Sequence, residues 1–76
     1  MIKYNGYKNW NHWNVSLWIN NDERLYRIAL AHIKRTGNKA AAARHMFFDL
    51  ANNIATHTPD GAKYSVTSIR KAMVGM

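Results

Sequence analysis

The sequence predicts an all-α domain, a compact bundle of about four short helices around a tryptophan-rich first helix. Three observations predict it. Apolar residues recur at three- and four-residue spacing along most of the chain. Residues that start and stop helices punctuate those runs. All three tryptophans fall between Trp10 and Asp22, in a stretch that ends on a helix-start signal. At 76 residues the chain makes one domain, residues 1–76. A chain near this size buries only about 60% of the surface its unfolded form exposes, so modest stability is expected unless it oligomerises.

Residues 1–8 contain Tyr4-Asn5-Gly6-Tyr7, in which Asn-Gly is a turn dipeptide, and an ordered arm is expected with its tyrosines folded back on the core. A first helix is expected over residues 11–19. At about 100° per residue, Trp10, Trp13, Asn14, Leu17 and Trp18 share one side, and Val15 and Ile19 widen it. A short helix apolar over so much of its circumference is normally sandwiched between other elements. Each tryptophan can bury roughly 150–250 Å², so this helix is expected to supply most of the core. A strand is the competing reading, because Val15, Leu17 and Ile19 alternate with Asn14, Ser16 and Asn20. Exposed tryptophans serving as an interface platform are a third; core placement is the simpler account in so short a domain.

Asn20-Asn21-Asp22-Glu23 supplies an N-cap acceptor and first-turn acids for a second helix. Leu25, Ile28, Ala29, His32 and Ile33 fall on its inner face, flanked by Tyr26 and Leu30. Arg24, Arg27, Lys34 and Arg35 gather on the other side. With only Glu23 nearby, these cations form a basic stripe, which fits a binding face and a merely solvated one equally. Gly37 is placed to end the helix in the left-handed conformation, and Asn38 to cap the next. A third helix over residues 39–52 opens on Ala40 to Ala43, the strongest helix former four times over. Its apolar stripe is Ala43, Met46, Phe47, Leu50, Ala51 and Ile54, with Lys39 and Arg44 outside. Its small alanines favour close packing on the second helix as a hairpin. Thr58-Pro59-Asp60-Gly61 reads as a type I turn. Beyond it, residues 65–73 read as a fourth helix capped by Ser65 and stapled by Tyr64. Val66, Ile69 and Met73 face inward there, Arg70 and Lys71 outward.

Eleven Lys and Arg against four Asp and Glu give a formal charge of +7, which favours nucleic acid or an acidic protein face as partner. Simple solubility and non-specific nucleic-acid binding are the bland alternatives. The absence of cysteine excludes disulfides and thiolate metal sites. No apolar run nears the roughly 18 residues of a membrane span and no signal peptide is apparent, so a cytoplasmic protein with no membrane partner is expected. His12, His32, His45 and His57 lack the spacing that puts two ligands on one helix face. A site joining His32 and His45 across the hairpin is conceivable, against the simpler reading of surface or half-buried imidazoles. The carboxylates are Asp22, Glu23, Asp49 and Asp60, two of them already placed at a helix start. There is no nucleophile motif or phosphate-binding glycine loop. Neither an enzyme nor a cofactor is expected.

Ala29-Leu30-Ala31, Thr36-Gly37-Asn38-Lys39 and Ala41-Ala42-Ala43-Arg44 look like the first two helices and turn of Fis-type helix-turn-helix modules. The tail from Val66 to Ala72 could serve as a recognition helix. However, residues 47–63 intervene where that helix should follow almost at once.

Tyr4-Asn5-Gly6-Tyr7, His12-Trp13-Asn14-Val15-Ser16-Leu17-Trp18 and Asn21-Asp22-Glu23-Arg24-Leu25-Tyr26 resemble a family of small, mostly phage-encoded proteins of uncharacterised function. Thr58-Pro59-Asp60-Gly61 looks like a turn near the end of such proteins. His12 departs from the family's usual threonine, which removes an N-cap candidate, and the alanine-rich third helix has no counterpart there. The resemblance covers about half the chain and implies a helical fold and a phage or prophage origin. It brings no catalytic residues. Phage proteins of this size commonly bind and block a host complex, anti-CRISPR proteins among them. The expectation is therefore a binding protein, an inhibitor of a host defence or nucleoprotein complex, with a helix-turn-helix DNA-binding regulator as the alternative. A structural, virion-associated protein is a third reading and would require a homo-oligomer. The candidate contact residues are Arg24, Arg27, Lys34, Arg35, Lys39, Arg44, Arg70 and Lys71.

Overall fold

The computed structural model describes residues 9–76, and among these it contains four helices. They are α1 (Trp10–Asn21), α2 (Glu23–Thr36), α3 (Lys39–Asn53) and α4 (Val66–Ala72). The arm expected over residues 1–8 lies outside the described residues.

Each helix begins on a side chain that accepts a hydrogen bond from an otherwise unpaired backbone N–H. Asn9 accepts from the amide of His12 at 2.9 Å, so α1 starts one residue earlier than predicted and His12 does not cost it a cap. Asp22 serves two helices. Its amide donates to the carbonyl of Trp18 and closes α1, while its carboxylate accepts from Leu25 N and opens α2. One residue therefore makes the whole corner between α1 and α2. Gly37 ends α2 at φ 68, the left-handed conformation expected of it, and Asn38 accepts from Ala41 N to begin α3. Ser65 caps α4 in a reciprocal box with Ser68, as its position in the sequence suggests.

Helix α1 packs on α2 and α4, and α3 packs on the same two, which closes a ring with α1 opposite α3 and α2 opposite α4. Val15 and Ile19 from α1, Leu25 and Ala29 from α2, Met46 and Leu50 from α3, and Ile69 and Met73 from α4 meet at its centre. Ala42 and Ala43 are fully buried, as the predicted hairpin of α2 and α3 requires. Ala51 and Ile54, assigned by periodicity to the inner stripe of α3, are exposed at its C-terminal end. The helix stops at Asn53, so the period that placed Ile54 inward no longer applies.

The side of α1 that enters the core is a correction. Trp10 is 40% exposed and Leu17 38%, whereas Val15 and Ile19 are fully buried. At 100° per residue these pairs stand on opposite sides of the helix. A helix apolar nearly all round gives no contrast by which periodicity could pick its inner face. Asn14 and Ser16 are buried along with Val15 and Ile19, and buried polar groups need partners. Asn14 finds them in the segment between α3 and α4.

In that segment, Gly61 N donates to Thr58 O and closes the Thr58-Pro59-Asp60-Gly61 turn. His57 and Lys63 pair as a short antiparallel bridge on either side of it. Its Pro and Gly positions predict a type I turn separating α3 from α4. In the fold it docks on α1.

Candidate functional site

Arg24, Arg27, Lys34 and Arg35 are all exposed. Helical spacing places them within about 100° of arc on α2, away from Leu25, Ala29 and His32. Glu23 pairs with Arg27 one turn along, with both side chains about three-quarters exposed (75% and 77%). Such a pair is worth little in water, and it leaves the row strongly positive. Tyr26 and Leu30, both exposed, border the row on one side.

The other predicted contact residues are dispersed. Lys39 is half-buried at the start of α3, and Arg44 is exposed on the outward side of that helix near Phe48. Arg70 and Lys71 are exposed on α4. Because α4 stands across the ring from α2, these two cations do not extend the α2 row.

At the N-terminal end of the row, beside Arg24, a cleft of about 280 Å³ opens between the α1–α2 corner and the docked turn. Trp18, Leu25 and Tyr64 line it from the core side, Ile54 and Ala55 from the end of α3, and His57 and Pro59 from the turn. The turn is held there by a polar network. Thr58 donates its hydroxyl to Asn14 Oδ1 at 2.6 Å, and both Asn14 Nδ2 and Trp18 Nε1 donate to Asp60 Oδ2 at 2.9 Å. Ala62 N donates to the Thr58 hydroxyl in turn. The hydrogen bonds from Asn14 and Trp18 favour the ionised form and hold the Asp60 carboxyl below the ordinary aspartate range. Burial, with the Asp22 carboxylate nearby, pushes the Tyr64 phenol up and keeps it neutral. The cleft therefore has a neutral, largely apolar floor with Arg24 and Asp22 at its edge.

A second polar cluster joins α2 to α3. His32 Nε2 lies 3.2 Å from Asp49 Oδ2, and since a carboxylate only accepts, Nε2 carries the hydrogen. The rings of His32 and His45 stack 6.3 Å apart across the hairpin, His32 buried and His45 exposed. Among the described residues no three His, Asp or Glu side chains gather as metal ligands, and no helix is long and apolar enough to cross a membrane. His32 and then Asn53 hydrogen bond to Asp49 and hold its carboxyl low.

The family of unknown function DUF7249 matches residues 1–76. The chain belongs to DUF7249. No curated protein and no solved structure matches it, so the chemistry of this DUF7249 chain is read from its own side chains.

The two lowered carboxylates make this DUF7249 protein acid-sensitive in a defined direction. A carboxyl whose folded pKa is depressed contributes stability that is complete above its unfolded value and is lost as pH falls through the folded one. The thermal midpoint is therefore expected to hold above the ordinary carboxylate range and to fall as pH drops below about 4. Melts of Asp60→Asn followed by circular dichroism over the same range should show a shallower acid limb. An unchanged slope would remove Asp60 from the account.

Proposed function

We propose that this protein acts by binding, docking the exposed α2 row of Arg24, Arg27, Lys34 and Arg35 on an acidic face of a partner protein or nucleoprotein complex. The observation that carries the reading is the row itself, four exposed cations along one helix with a single carboxylate, Glu23, among them. Opposed potentials steer two surfaces together and set their register, and the effect weakens as salt rises. The N-terminal resemblance to small phage-encoded proteins supports a more specific form, a phage accessory protein that inhibits a host defence or nucleoprotein complex in the anti-CRISPR manner. A cytoplasmic site of action follows from that form.

The test is capture of partners by the tagged protein from a host lysate, with and without nuclease, compared with the triple variant Arg24→Glu, Arg27→Glu, Arg35→Glu. All three side chains are exposed, so folding is expected to survive within about 1 kcal/mol. A defined protein complex should be retained after nuclease and reduced at least tenfold by the variant. Equal capture by the variant sinks the proposal. Capture of nucleic acid alone, with a sequence preference that survives physiological salt, would move the helix-turn-helix reading ahead of it.

A further inference from the structure

We propose that the cleft beside Arg24 is a docking pocket for an acidic protein segment, which inserts one bulky apolar side chain while a neighbouring carboxylate pairs with Arg24. The inference rests on the binding reading above and specifies its partner. Its size decides the class of occupant. At about 280 Å³ the cleft falls at or below the lower end of the roughly 300–1,000 Å³ usual for small-molecule sites, so it suits a single large side chain better than a cofactor.

The lining decides the chemistry. Ile54, Ala55 and Pro59 are exposed around the opening, Ile54 at 37%, while Tyr64 and Leu25 close the floor. The Trp18 indole N–H is already committed to Asp60, so the ring offers a fixed apolar wall. Bulky side chains seated in such desolvated pockets dominate many interfaces. Charge complementarity identifies what flanks the anchor. Asp22 is spent on Leu25 N, and among the described residues no carboxylate lies within ion-pair distance of Arg24. Arg27 stands one turn further along the same face. A carboxylate beside the anchor would meet Arg24 and further acids would meet the α2 row. Nucleic acid fits less well, because a phosphate entering the cleft meets an apolar floor.

The test is selection of a displayed random dodecamer peptide library on the folded protein, followed by titration of the enriched peptides. The expected motif is a Leu, Ile, Phe or Met with Asp or Glu within a few residues. Binding should weaken at least tenfold in Ile54→Ser, which removes apolar wall, and in Arg24→Glu, while Lys71→Glu across the ring leaves it within twofold. The indole resonance of Trp18, assigned with Trp18→Phe, should shift on titration. Acidic peptides that bind Ile54→Ser and the native protein alike, and need Arg27 and Arg35 instead, would overturn the pocket while leaving the α2 reading intact. Enrichment of peptides without acids would overturn both the occupant and the charge argument. Displacement of the peptides by a random single-stranded DNA pool at physiological salt would assign the cleft to nucleic acid and overturn the proposal.

Discussion

Replacing Asn14 with alanine is expected to destabilise the protein by about 3 kcal/mol and to lower the thermal midpoint by about 15 °C. Asn14 is 2% exposed and is the only described residue that joins the hydroxyl of Thr58 to the carboxylate of Asp60. Removing its amide strips an acceptor from a buried hydroxyl and one donor from Asp60, and it leaves a void beside Val15. Water does not easily replace the acceptor lost to Thr58, which is itself 4% exposed, whereas the exposed Asp60 can turn to solvent. The Thr58-Pro59-Asp60-Gly61 turn would then be held to α1 chiefly by the Trp18 indole, so the cleft wall should loosen along with the fold. Thermal melts give the stability, and the Trp18 indole resonance reports the wall. A midpoint within about 5 °C of the native value would mean that the turn is held by packing and that the polar network contributes little.

Ile19→Ala should cost a similar amount, about 3–4 kcal/mol, whereas Leu17→Ala, two residues away on the same helix, should cost less than about 1 kcal/mol. The contrast follows from which side of α1 faces the ring. Ile19 is fully buried among side chains from the other helices, so truncation removes transferred surface and opens a cavity. Leu17 lies toward solvent at 38% exposure. By sequence the two are nearly interchangeable, and on the predicted tryptophan face Leu17 would be the costlier loss. Urea unfolding of both variants measures the difference directly. A larger loss for Leu17→Ala would restore the tryptophan-inward orientation of α1, and equal losses would mean that neither side of the helix dominates the packing.

Local signals carried most of the helical layout. Gly37, Asn38 and Ser65 act where their chemistry predicts, since a left-handed cap or a side-chain acceptor is settled by the few residues around it. The amphipathic pattern of α2 was legible for the same reason: Leu25, Ala29 and His32 face inward and the four cations outward. The basic half of the candidate site could therefore be named from sequence. The cleft could not. Its walls come from Trp18, Ile54, His57, Pro59 and Tyr64, residues far apart in the chain whose meeting depends on where the turn lands. The available signals were a polar Asn14 inside an apolar helix and a turn bearing a hydroxyl and a carboxylate.

The sequence by itself determined that there are four helices among residues 9–76, close to where each begins and ends, and which side of α2 is charged. Each of these is settled by interactions within a turn or two of chain. Only the tertiary structure decided the inward side of α1, the docking of the Asp60 turn, the separation of Arg70 and Lys71 from the α2 row, and the cleft. For α1 the local pattern is nearly degenerate, apolar on almost every side. What seats the helix is its packing against α2 and α4 together with hydrogen bonds spanning 46 and 42 positions of the chain, from Asn14 and Trp18 to Asp60. A buried amide has to meet a partner, and where that partner stands is a property of the assembled ring.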